Sequence, residues 1–213
     1  MPAQLANRLA TVDQLGGGRL SVIGLSVGWS EEEHRAVGVD PKTLGKRMDD
    51  FVPALRACWG DDPVEYHGPV FDIAPAIMRP KPVTAPKLMS GMYSKPGLAR
   101  TARDFDFWNP GSMPIADVVP ALEQMNSQRE AGKPDLGAIY RLAQQSTSGK
   151  RLTTDEMTTR VRECVAAARR GHRRDELLFR DHVLRSVAED PRRSETARRG
   201  REVTPSLFHE GSI

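Results

Sequence analysis

The run "RLSVIGLSV", residues 19–27, constrains this chain most. Its centre is β-branched and nearly all apolar, the make-up of a strand covered on both faces, and such strands belong to parallel sheets whose connections cross back as helices. The sequence supplies those connections on either side. Leu5, Leu9, Val12 and Leu15 recur at helical spacing ahead of the run, and Gly16–Gly18 provide the left-handed residue that stops a helix. After it, "DPKTLGKRMDDFVPALRACWG" reads as an N-cap Asp40, a proline at the first helical position and an apolar stripe through Leu44, Met48, Phe51, Leu55 and Trp59. Gly60 closes that helix.

The next stretch interrupts the rhythm. "VEYHGPVFDI" is two short runs about a Gly-Pro turn, a predicted hairpin, and "APAIMRPKPVTAP" is a connector whose prolines exclude regular pairing. Residues 61–86 therefore read as an insertion. Regular alternation then follows: strand "KLMSGM", helix from Lys95 to Arg103, strand "FDFWN", helix from Pro114 to Glu130, strand "LGAIYRLAQQS", helix from Thr153 to Arg170, strand "ELLFRDHVL" and a last helix from Pro191. Strand and helix in alternation specify parallel α/β units, here with about five strands in a single domain over residues 1–213.

Several function classes lose support. No apolar run reaches the roughly 20 residues a membrane-spanning helix needs, and the first 15 residues lack the charged-then-apolar order of a signal peptide. The expectation is a cytoplasmic protein with no membrane partner. Residues 1–150 hold 17 Lys+Arg against 17 Asp+Glu, so the net charge of +3 comes from the last 63 residues, where 14 Arg stand among 11 acids. Signs mix closely there and aromatics are few, the pattern of a solvated helical face with no nucleic-acid role. Cys58 and Cys164 fall in helical patterns as core residues, and the five histidines have no metal-ligand spacing. A metal site is not expected. Neither GxGxxG nor GxxxxGK[ST] occurs, and no catalytic group can be named.

In parallel α/β folds ligands bind at the carboxyl ends of strands, so the residues that matter follow each strand. Gly28 permits close backbone approach, Trp29 suits a flat ring, and Glu31, Glu32 and Glu33 suit the start of a helix. A plain strand-to-helix turn accounts for the same residues equally well. In "SGMYSKPGLARTAR", Ser90 and Gly91 end a strand and Ser94 is an N-cap, where amides and Lys95 would cradle phosphate. In "DFDFWNPGSMP", Asp106, Trp108 and Asn109 lie at or just after a strand end, with Trp108 read as core.

Taken in order, residues 9–82 resemble the bacterial luciferase-like monooxygenases, flavin- or F420-dependent oxidoreductases built on a (β/α)8 barrel. The resemblance rests on the Leu-Gly-Gly-Gly-Arg turn, the strand ending in Gly28-Trp29, the helix closing in Cys58-Trp59 where the family has Leu-Trp, the hairpin, and "RPKP"; it continues into "SGMYSKPGLARTARDFDFWNP". It implies an α/β fold that is a partial TIM barrel with a hairpin insertion. Ser26, Val27, Gly28 and Trp29 would lie against the cofactor ring, and Ser90, Gly91, Met92, Tyr93, Ser94 and Lys95 would hold its phosphate. The "GW…EE…GV" series is closer to the F420 subgroup, with FMN the alternative. A small organic substrate and a homodimer complete the implied picture. Asp106-Phe107-Trp108 departs from the family's Asp-Gly-Trp, and residue 1 corresponds to the helix before the fourth family strand. The expectation is thus an N-terminally incomplete barrel, either active in hydride transfer or an inactive truncated member serving as a binding or oligomerisation partner.

Overall fold

The computed structural model describes residues 1–111, 113–140 and 153–171. All lie in one compact unit, Met1–His172. Its centre is a four-stranded sheet of β1 (Val22–Leu25), β4 (Lys87–Ser90), β5 (Phe107–Trp108) and β6 (Gly137–Ala138), adjacent in that order and parallel throughout. Register is fixed from Val22 opposite Lys87 to Leu25 opposite Ser90, then Ser90 opposite Trp108 and Trp108 opposite Ala138. The carboxyl ends of all four strands therefore lie along one rim. Helices α1 (Pro2–Leu15), α2 (Glu31–Ala36), α3 (Leu44–Trp59), α4 (Lys95–Asp104), α5 (Ile115–Ser127) and α6 (Thr154–Gly171) alternate with them, and β2 (Val64–His67) pairs antiparallel with β3 (Asp72–Ala76) as the expected hairpin.

The core explains the order of apolar residues. Met48, Val52, Leu55 and Cys58 of α3 join Leu88, Phe105, Trp108, Val118, Leu122, Met125 and Leu136 in one buried cluster. Cys58 is core, as its helical position predicts. Asp40 differs from the predicted N-cap of a long helix: its carboxylate accepts from Lys42 N in a 3-10 turn over Pro41–Thr43, and α3 starts at Leu44.

Two sequence expectations change. Of the four apolar residues at helical spacing in α1, Leu5 and Leu9 are half-buried against the core, but Ala6, Ala10 and Asp13 are fully buried, and Val12 is 55% and Leu15 86% exposed. The reason is close packing on α3, where Trp59 Nε1 donates to the Ala6 carbonyl at 3.2 Å, an approach that small side chains permit. Buried Asp13 then accepts from Leu20 N and Val83 N, tying the start of β1 to the connector. The second change concerns β1, read as covered on both faces. Ile23 is buried but Gly24, on the opposite face of this outer strand, is exposed, so only one face is covered there. Of the strand expected in "LGAIYRLAQQS" only Gly137–Ala138 is strand among the described residues; its later part, "ELLFRDHVL" and the helix from Pro191 lie outside them.

The hairpin is pinned to α3 by one buried carboxylate. Asp50 accepts from Tyr66 Oη at 2.6 Å, Val70 N at 2.8 Å and Phe71 N at 2.7 Å. Phe71 completes the joint edge-on to Phe51, with Arg47 over its ring. Burial works against the Asp50 charge, but Tyr66, the two amides and Lys46 hold the carboxyl below its usual range. The Tyr66 phenol is pushed up to about 12 by burial and then by that same carboxylate.

Candidate site at the carboxyl ends of the parallel strands

Parallel pairing of β1 with β4 brings the two loops singled out in the sequence together. Gly91 N donates to the Leu25 carbonyl at 3.0 Å, continuing the ladder one step past the strands. Ser26 Oγ lies 3.5 Å from the Gly91 carbonyl, and a Cβ built on Gly91 would stand 3.6 Å from Ser26 Cβ. The rim is thus bare main chain at Gly91 beside a small hydroxyl.

The β1 end turns at Gly28, whose φ of +78° is a left-handed conformation that suits glycine. Ser30 caps α2 by accepting from Glu33 N, so Glu31, Glu32 and Glu33 occupy a first helical turn, where negative charge is favoured. Val27 is half-buried and Trp29 is 92% exposed. The ring of His34 lies against Gly28.

The β4 end divides the predicted residues into two groups. Ser90 is fully buried and its hydroxyl faces inward, 2.6 Å from Thr101 Oγ1, while also accepting from Met92 N at 3.2 Å. Met92 is buried too, with its carbonyl accepting from Trp108 Nε1 at 3.1 Å. These two side chains shape the loop from beneath. Gly91, Tyr93, Ser94 and Lys95 form its outward surface: Tyr93 is 53% exposed, Ser94 caps α4 through Gly97 N at 3.2 Å, and Lys95 is exposed. Pro96 in the first turn of α4 carries no N–H that would need a partner.

The β5 end closes the row. Asn109 N donates to the Ser90 carbonyl at 2.8 Å, and Asn109 Oδ1 accepts from Gly111 N at 2.7 Å, the turn that Asn-Pro-Gly predicts. A Cβ on Gly111 would stand 2.6 Å from Tyr93 Oη, so the tyrosine lies across this third loop. Asp106 moves out of the site. It precedes β5, and its Oδ2 accepts from Leu88 N at 2.8 Å and Arg56 at 3.0 Å, at the opposite end of the strands from the rim. Trp108 is core, as read from the sequence.

Sequence reasoning missed His34, Thr101 and the Tyr93–Gly111 contact. The histidines were judged by metal spacing alone, and a hydroxyl pair eleven residues apart leaves no local signal. Among the described residues no group of three or more His, Cys, Asp or Glu could hold a metal ion, and no helix is long and apolar enough to cross a membrane.

A family profile described as luciferase-like monooxygenase matches residues 1–210. The chain belongs to that family. Among luciferase-like relatives, the FMNH2-dependent dimethylsulfone monooxygenase of Pseudomonas putida is 34% identical over 108 residues, which is 48% of this chain and 28% of that one. The corresponding enzyme of Pseudomonas fluorescens is 33% identical over 133 residues, 61% of this chain and 36% of that one. The pyrimidine monooxygenase RutA of Escherichia coli is 29% identical over 145 residues, 64% and 40% respectively. The matches therefore span less than half the length of these curated relatives. Solved luciferase-like structures show the same fold: an EDTA monooxygenase from Chelativorans sp. BNC1 superposes with a TM-score of 0.58 at 17% identity, covering 78% of this chain and 44% of that one. An F420-dependent secondary alcohol dehydrogenase superposes with a TM-score of 0.56 at 21% identity, covering 65% and 44%. The α/β reading, with its parallel sheet forming part of a barrel-like fold, agrees with both.

Proposed function

We propose that this chain is an oxidoreductase of the monooxygenase type, acting on a small organic substrate with a flavin-type cofactor seated on the rim of β1 and β4. The observation that carries the reading is the bond from Gly91 N to the Leu25 carbonyl, which joins the two strand ends from which the Gly28–Trp29 turn and the Gly91–Lys95 loop leave. Residues on that rim fit the group. Gly91 gives bare main chain, Lys95 gives an ammonium beside the first turn of α4, and both suit a phosphate. Ser26, Val27, Gly28 and the exposed Trp29 give a flat surface for a ring. Ser90 and Met92 hold the loop in shape from inside, and Tyr93 bounds it toward Gly111.

FMN takes first place as cofactor because the 33–34% identical relatives are FMNH2-dependent enzymes by name; F420, favoured by the Gly-Trp series, is the alternative. The bound cofactor supplies the redox chemistry, and the chain binds it, orients its ring and excludes competing reactions. A homodimer belongs to the same proposal. The test is a fluorescence titration of the full chain with FMN and with F420. Saturable binding of either with Kd on the order of micromolar supports the reading, and absence of binding at hundreds of micromolar, about 5 kcal/mol or weaker, refutes it.

A further inference from the structure

Among the described residues, one buried side-chain polar atom has no hydrogen-bond partner: Nε2 of His34. An imidazole nitrogen is always a donor or an acceptor, and leaving one unpaired away from water forfeits its hydration without a bond in return. A phenylalanine ring would fill a similar volume without that cost. The expense falls at the rim of the candidate site. A Cβ built on Gly28 would stand 2.9 Å from both Cε1 and Nε2 of His34, so the ring lies directly against the main chain of the β1 turn. The main chain of His34 is committed elsewhere, its N to the Ser30 carbonyl at 3.2 Å and its carbonyl to Val39 N at 2.8 Å. The side chain is therefore held by a capped helix and directed at Gly28, next to the exposed Trp29.

We propose that His34 is a ligand-contacting residue, its Nε2 hydrogen-bonding the rim of a flat heterocycle seated on the Gly28–Trp29 turn. The inference rests on the cofactor reading above and adds the group that recognises the ring's edge. The chemistry required of the ligand is a carbonyl oxygen or a ring N–H. Neutral imidazole meets the first with an Nε2 proton and the second with an Nε2 lone pair, according to its tautomer. Gly28 presents no side chain to the imidazole, so Nε2 faces the place where any other residue would put a Cβ. A site that holds a buried polar atom in readiness discriminates against ligands without the matching group, because in their presence the atom stays unpaired.

The test uses the full chain, His34→Phe and His34→Gln, with FMN and F420 titrations by fluorescence, urea unfolding, and nitrogen-15 NMR of histidine-labelled protein. His34→Phe should unfold at equal or higher urea and bind the preferred cofactor roughly tenfold more weakly, the loss of one hydrogen bond, whereas His34→Gln should stay within about threefold. In the unaltered chain, the Nε2 resonance of His34 should move on saturation. Cofactor binding by His34→Phe equal to that of the unaltered chain, or an Nε2 resonance that stays put at saturation, overturns the role of His34 and leaves the cofactor reading intact. An unaltered chain that binds neither cofactor overturns both.

Discussion

Substituting alanine for Gly91 separates ligand access from folding. Gly91 is not among the glycines with positive φ, so its backbone accepts an L side chain. The new methyl would meet Ser26 Cβ at 3.6 Å, Ser26 Oγ at 3.9 Å and the Leu25 carbonyl at 4.0 Å, all ordinary contacts. Stability should therefore rise by about 0.4–1 kcal/mol, through lost freedom of the unfolded chain. A ligand resting on the bare main chain would be displaced by the same methyl. An overpacked contact costs about 1–3 kcal/mol, so FMN or F420 should bind roughly 5- to 150-fold more weakly. Fluorescence titration and urea unfolding on one preparation read both quantities. Gly28→Ala is the contrasting case: at φ +78° and 2.9 Å from the His34 ring, the added carbon should lower stability itself. If Gly91→Ala binds within about twofold of the unaltered chain, no ligand rests on that main chain and the rim argument fails.

Lys95→Ala should weaken cofactor binding by about 1–3 kcal/mol with little change in urea midpoint, since this exposed side chain would act on a phosphate alone. Ser94→Ala mixes two effects because Ser94 caps α4; it should cost about 1 kcal/mol of stability, whereas Ser94→Gly should cost only a few tenths, so the glycine variant is the cleaner probe of binding. Asp50→Ala should destabilise by about 3–5 kcal/mol in urea unfolding, because it strands Tyr66 Oη, Val70 N and Phe71 N, and a loss under about 1 kcal/mol would show that Asp50 does not pin the hairpin. The same joint sets a pH dependence at both extremes. The Tyr66 phenol is raised, so its stabilisation is present below its unfolded value of about 10 and is lost as pH climbs toward about 12. The Asp50 carboxyl is lowered, so its contribution is present above its unfolded value of about 3.9 and is lost as pH falls through the folded one. Urea midpoints measured across pH should flatten on the alkaline side in Tyr66→Phe and on the acid side in Asp50→Asn.

The family and the type of fold were legible because they reside in local order. "RLSVIGLSV", the stripe of α3, the Gly-Pro hairpin and Ser94 ahead of Lys95-Pro96 each state their conformation within a few residues, and the structure has a strand, a helix, a hairpin and a capped helix there. The α1 stripe held for Leu5 and Leu9 and failed for Val12 and Leu15, because periodicity counts apolar residues and cannot tell that close approach to α3 favours Ala6 and Ala10. Asp106 was misplaced by a shift of a few residues in a strand that proved to be only Phe107–Trp108.

By itself the sequence determined where strands end and which small, aromatic and cationic residues follow them. Only tertiary structure decided which of those residues meet and which face outward. Parallel pairing of Leu25 with Ser90 set two loops some sixty-five residues apart into contact, turned the Ser90 hydroxyl in toward Thr101, and left Gly91 and Lys95 at the surface. The physical reason is that propensity and capping act over one or two turns of chain, whereas register and burial are settled by groups brought together from distant parts of it.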